Sequence, residues 1–164
     1  MTDGLRFALT LLPALGSGLI AGVFFAFSVF IMKALARIQP PQGIAAMQSI
    51  NIAVINPWFL AVFLGTAVAC LVLAVSTLFL WDKPGAFYLL AGSLLYLIGT
   101  FLVTMVFNVP QNDALAAVDP ASAEGARLWT AYLSRWTAWN HVRTAAALAA
   151  AALLTIGLCA SRNG

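Results

Sequence analysis

A chain of 164 residues that is 63% hydrophobic and only 8% charged cannot coat itself with a water-soluble shell, which normally takes roughly a quarter of charged residues. Its formal charge of +3 comes from eight scattered basic residues against five acidic ones; this is no nucleic-acid footprint, and the excess is matched better by anionic lipid headgroups. The fold class that follows is all-α, an integral membrane four-helix bundle in a single domain.

Four stretches free of charged side chains supply the spans, over residues 7–32, 58–81, 84–107 and 144–161. Each reaches the roughly 17–25 residues that a helix needs to cross the hydrocarbon core. The first is too long for the apolar part of a secretory signal, and it is read as a retained helix. Along it a small residue recurs every four positions at Ala14, Gly18, Gly22 and Ala26, a stripe expected to be a packing face and a route to a homo-oligomer through this helix.

Residues 42–56 have mixed polarity and helix-forming character, and end at Pro57, so an amphipathic helical extension is expected before the second span. Asp82-Lys83-Pro84-Gly85 is a tight turn, with Pro84 suited to the first position of the third helix. After the third span, Asp119 reads as an N-cap and Pro120 as the first helical residue of a segment with no later proline. A continuous helix from there to about Ala160 would be roughly 60 Å long, twice the hydrocarbon thickness, so its first half is a second amphipathic extension. With four crossings, the connections after the first and third spans emerge on one side of the membrane. Both extensions therefore share a face.

Candidate functional residues gather there. Trp129, Trp136, Asn140 and Arg143 are spaced by seven, four and three and lie along one helix face, with Tyr132 beside it. Arg143 borders the final apolar run, where a cation needs a partner or a watery cavity, and carboxamides of Asn56, Asn108 or Asn112 are its expected partners. Asn140 lies in mid-helix, where a buried amide must bond across the bundle or to a ligand. His141, the single histidine, projects about 100° from Asn140 and is the side chain whose type suits a general base. Asn56 and Asn108 each sit beside a proline at a helix end, where capping is an equal explanation. Trp129 and Trp139 fit an interfacial aromatic belt as well as they fit a site, and Arg127 and Arg135 fit headgroup contacts. Cys70 and Cys159 lie in apolar runs, with no metal or dithiol spacing, and read as packing residues. No metal ligand set and no glycine-rich nucleotide loop is evident.

Three segments resemble the anthrone oxygenase-like family of small four-helix membrane proteins: AGVFFAFSVFIMKAL, MQSINIAVINPWFLAVFLG, and FNVPQNDAL followed by WTAWNHVRT. The most specific parts are Asn56-Pro57, the run from Asn108 to Asn112, and the run from Trp139 to Arg143. The resemblance implies oxidation of a hydrophobic aromatic, anthrone-like substrate by molecular oxygen, with no cofactor and no metal. For such chemistry His141 would be the base, Arg143 with Asn140 or Asn108 the oxyanion donors, and Trp136 with Tyr132 the pocket wall; Asn56 and Asn112 would help to bind the substrate. Phe24, Phe25 and Phe27 would extend that wall. Two rivals use the same residues differently: a non-enzymatic carrier of a lipophilic molecule, and a structural membrane subunit. The expected partners are thus a lipophilic small molecule, oxygen and the bilayer. The chain is expected in a bacterial inner membrane. Lys33, Arg37, Arg127, Arg135 and Arg143 against Arg6, Lys83 and Arg162 lean towards a cytoplasmic polar end.

Overall fold

In the computed structural model, which describes residues 3–163, the chain is all-helical. Four helices are long and apolar enough to cross a membrane: α1 (Phe7–Leu35), α3 (Pro57–Leu78), α4 (Ala86–Ala116) and α5 (Ala123–Asn163), the last apolar enough over Ala123–Ser161. The short α2 (Pro40–Ala53) precedes α3. Large apolar side chains line the outside, among them Leu15, Leu19, Phe25, Val68, Leu71, Ile98 and Leu148, as expected where lipid tails replace water. The side chains of Arg6 and Arg162, which enter the charge balance across the membrane, lie outside the described residues.

The helix ends follow local chemistry. Asn56 is extended, and its Oδ1 accepts the backbone N–H groups of Trp58 and Phe59 at 3.1 and 3.0 Å, with Pro57 in the first turn where its missing N–H costs nothing. The start of α5 differs from expectation. Asp119 instead makes a turn by accepting from Ala121, and the cap is Ser122, whose Oγ accepts the Gly125 N–H at 2.9 Å. Pro120 therefore lies in the loop.

Pro84 is also in a turn and not in the helix that follows. Gly85 caps α4 at φ +83°, a left-handed conformation that Pro84 cannot hand directly to a helix. A Cβ at Gly85 would sit 2.6 Å from the Gly157 carbonyl oxygen. Gly85→Ala is expected to destabilise the protein by about 1–2 kcal/mol from the backbone conformation alone, with the contact adding to it. The check is denaturant unfolding in detergent micelles.

α4 runs on past Pro110 to Ala116, beyond the expected end near residue 107. It does so through π-helical turns over Leu95–Leu102 and Thr104–Asn108, the latter ending two residues before the proline. Proline lacks an N–H and crowds the carbonyl four residues back, and a wider turn absorbs both defects. α1 contains a similar turn over Phe27–Ile31.

α1 turns inward a face that leaves two of the stripe's glycines outside. Ser17, Ile20, Ala21, Phe24 and Ser28 are buried, whereas Gly18 and Gly22 are exposed, with open space where a side chain would be. The bulk of Ile20 and Phe24 fills the distance to α5, and of the small-residue stripe Ala14 is buried in the same cluster and Ala26 half-buried.

Two apolar clusters stack along the bundle. One contains Phe24, Phe63, Cys70, Tyr96, Ala150 and Leu154, and the other Met32, Ile44, Met47, Leu115, Trp129, Tyr132 and Trp136. The second joins α2 to α4 and α5 at one end, which places both extensions on the same side. Gln48 of α2 donates to the carbonyls of Leu115 and Val118 at 2.8 and 3.1 Å. Gly43 permits the close approach, since a Cβ there would meet Trp129 at 2.9 Å.

Candidate functional site, a buried polar layer

Between the two apolar clusters lies a layer of polar side chains. On α1, Ser28 falls between Phe24 of one cluster and Met32 of the other; on α5, Asn140, Arg143 and Thr144 fall between Trp136 and Ala150. The apolar run that follows Arg143 is about 27 Å long at 1.5 Å per residue, close to a hydrocarbon thickness, so the layer sits at the edge of the core.

Asn140 organises it. Its amide nitrogen donates to the Phe24 carbonyl and to Ser28 Oγ, both at 2.7 Å, and its Oδ1 accepts from Arg143 Nη2 at 2.7 Å. The Thr144 hydroxyl donates to the Asn140 carbonyl at 2.8 Å, so its proton is spent there. The 3.0 Å contact between Ser28 Oγ and Thr144 Oγ1 therefore has serine as donor. A closed ring of bonds through Asn140, Ser28 and Thr144 thus joins α1 to α5.

Arg143 is only 3% exposed. Its Nη1 donates to Thr104 Oγ1 at 3.3 Å, and its Cζ lies 4.1 Å from the Phe24 ring centroid and 5.0 Å from that of Trp136. The expected carboxamides of Asn56, Asn108 and Asn112 are not its partners. Asn140, one turn away on the same helix, is closer at hand because side chains lean towards the helix N-terminus. Asn56 is occupied with capping and donates to the Ala53 carbonyl. Among the described residues, the groups found against the guanidinium, Asn140, Thr104, Phe24 and Trp136, are neutral.

Asn108 and Asn112 stand one and two turns beyond Thr104. Asn108 is fully buried and donates to the Trp136 carbonyl at 3.2 Å. Asn112 Oδ1 accepts from the Tyr132 hydroxyl and from Trp136 Nε1, each at 2.8 Å. In an α-helix a four-residue interval drifts about 40° per step, which would carry Thr100, Thr104, Asn108 and Asn112 off one face. The extra residue in each π turn counters that drift and keeps Thr104 and Asn108 facing α5.

Trp129, Tyr132 and Trp136 stack in sequence, at 5.6 and 5.8 Å between centroids, and Phe27 meets Trp136 at 5.6 Å. Trp129 is buried and is no belt residue, while Trp139 stacks on Phe107 at 3.7 Å. Of the three phenylalanines considered in α1, Phe24 and Phe27 join the layer and Phe25 is exposed. His141 is exposed, on the side of α5 away from Asn140, and is not brought to the cluster. Sequence reasoning missed Thr104, Ser28 and Thr144. The signal for Thr104 was its four-residue spacing to Asn108.

A surface groove of about 250 Å³ opens between α4 and α5, lined by Pro110, Gln111, Ala114, Leu128, Ala131, Tyr132 and Arg135. Tyr132 separates it from the layer. Among the described residues, no three of His, Cys, Asp and Glu come together as a metal ligand group.

No curated protein and no solved structure matches the chain. A family profile described as anthrone oxygenase matches residues 58–153, more than half of its length, and takes in Thr104, Asn108, Asn112 and the whole run from Tyr132 to Arg143. The chain, an integral membrane four-helix bundle, therefore belongs to the anthrone oxygenase family.

Proposed function

We propose that this protein is a membrane oxygenase that takes a flat lipophilic aromatic ketone from the bilayer and holds its ionised oxygen on Arg143. The observation that carries this reading is the guanidinium itself, buried with only neutral neighbours, so that its charge is uncompensated until an anion arrives. A cation at this depth is costly, and such residues are typically functional.

A ketone with an acidic methylene becomes a phenolate-like anion on losing a proton, and a fixed cation in a dry site favours that ionisation. The anion can itself give electrons to oxygen, so the reaction requires no redox cofactor. Overall the methylene becomes a carbonyl: one oxygen atom enters the ring carbon and the other leaves as water with the two hydrogens. Phe24 and Trp136 supply flat apolar walls beside the charge. The groove against Tyr132 offers a lipophilic molecule a way in from the membrane surface. We place the protein in a bacterial inner membrane with its polar end towards the cytoplasm.

Purified protein in lipid nanodiscs, given anthrone, should consume equimolar oxygen and form anthraquinone well above the rate with empty nanodiscs. Saturable, Arg143-dependent binding with no oxygen uptake would instead favour a carrier of lipophilic anions.

A further inference from the structure

One carboxamide oxygen holds two rings of the aromatic stack. Asn112 Oδ1 accepts from the Tyr132 hydroxyl and from Trp136 Nε1, each at 2.8 Å. An indole N–H can only donate, so the end of the amide that faces it is the oxygen, and that oxygen has a lone pair for each donor. Tyr132 and Trp136 are thereby kept 5.8 Å apart and 19° from parallel. The bond from Asn108 fixes the main chain of Trp136 but leaves its side-chain torsions free. Nε1–H is the polar handle of the ring, and Asn112 holds it.

Asn112 is not among the groups found against the guanidinium. It acts across the indole, which bonds to Asn112 along one edge and lies with its ring centroid 5.0 Å from Arg143 Cζ. A carboxylate of the same shape would serve both donors better, because charge-assisted hydrogen bonds are the stronger ones. It would also put a negative charge one indole away from Arg143, and in a dry site an opposite charge at that range compensates a cation. The amide gives the two bonds without the charge.

We infer, resting on the proposal that Arg143 holds an oxyanion, that Asn112 is a positioning residue with two separable effects. Its oxygen fixes the Trp136 ring as a flat wall beside the charge, and its neutrality leaves the cation free for an anion from outside. The sequence put Asn112 among the substrate-binding residues; the geometry assigns it to the support of the wall, the shell of hydrogen bonds that locks the rotamers of a site.

The test compares Asn112→Leu, which removes the acceptor, with Asn112→Asp, which keeps it and adds a charge, both in nanodiscs at roughly pH 8, well above the usual carboxylate range. The first readout is the Trp136 indole N–H signal in nitrogen–proton NMR spectra, assigned with Trp136→Phe. It is expected downfield and slow to exchange with solvent in wild-type protein and in Asn112→Asp, and upfield and faster to exchange in Asn112→Leu. The second readout is binding of 1-naphthol, whose ionisation red-shifts its absorbance, with empty nanodiscs subtracted and Arg143→Met as the blank. Wild-type protein is expected to bind it ionised. Asn112→Asp should weaken binding of the ionised form by at least about 10-fold, since the cation is then compensated from within. Asn112→Leu should still ionise the ligand but hold it about 3–10-fold more weakly, for want of a fixed aromatic wall. Asn112→Asp keeps both hydrogen bonds, so its comparison with wild type stands even if Asn112→Leu does not fold. An unmoved Trp136 signal in Asn112→Leu overturns the positioning. Ionised naphthol held as tightly by Asn112→Asp as by wild type overturns the part played by neutrality and leaves the oxyanion site intact. Failure of wild-type protein to ionise naphthol in an Arg143-dependent manner overturns the oxyanion reading, and this inference with it.

Discussion

Arg143→Met is expected to lower oxygen-dependent turnover by about 10²–10³-fold or more, the cost of removing one preorganised oxyanion donor elsewhere, while stability changes by less than about 1 kcal/mol because two opposing terms offset each other. Removing the guanidinium relieves the burial of a cation with neutral neighbours, which membrane insertion scales put at roughly 2.5–3.5 kcal/mol in mid-helix. It also leaves Asn140 Oδ1 without its donor, a loss of about 1–3 kcal/mol for a buried acceptor. Methionine refills most of the volume between Phe24 and Trp136. Oxygen-electrode rates and denaturant unfolding in the same micelles check the two halves. A loss of about 3 kcal/mol or more would mean that the arginine is a structural tie. Arg143→Lys should also be poorly active, since an ammonium keeps the charge but has no Nε–H and no flat face to lie over the two rings.

Asn140→Leu is expected to be the most destabilising single change in the layer, by about 3–5 kcal/mol, because it leaves a buried cation without its shortest acceptor. It also breaks the bonds to the Phe24 carbonyl and Ser28 that tie α1 to α5. Combining it with Arg143→Met should recover part of that loss, with a coupling of about 1–3 kcal/mol, as the double variant no longer buries an uncompensated charge. Thermal unfolding of the wild type, the two single variants and the double variant completes the cycle. Strictly additive losses would show that the two side chains do not act as a unit.

The four spans and the shared side of the two extensions were legible because lipid imposes one rule, a helix of about 20 apolar residues per crossing, and because parity fixes which connections lie together. The shared face of Trp129, Trp136, Asn140 and Arg143 was legible from their spacing on α5, and all four are buried, although for Trp129 the sequence left an interfacial belt equally open. Helix starts were less legible. Asp119 and Ser122 are both good caps beside proline or a helical run, and only the course of the loop selected Ser122. Which neighbour the small-residue stripe of α1 meets was not legible, since such a stripe suits any close contact, whether within the bundle or with another molecule.

The partners of Arg143 were beyond the sequence for a related reason. Three candidate carboxamides lie near the same membrane face, and one of them, Asn56, is committed to its own helix end. The choice of Asn140 and Thr104 depends on how α4 rotates against α5, and that rotation is set by π turns which no residue pattern announces. His141 shows the same limit in reverse. Its chemistry marks it as a base, but one residue of offset on a helix turns it outward, away from the layer.

By itself the sequence determined that this is a membrane bundle, that its polar groups gather at one end, and that a cation must be accommodated at the edge of the apolar core, because each of these follows from solvation along a single chain. Only the tertiary structure decided which neutral groups surround that cation. Hydrogen bonds between helices depend on rotations and offsets of a few ångströms, and these are fixed by the packing of the apolar clusters on either side of the layer.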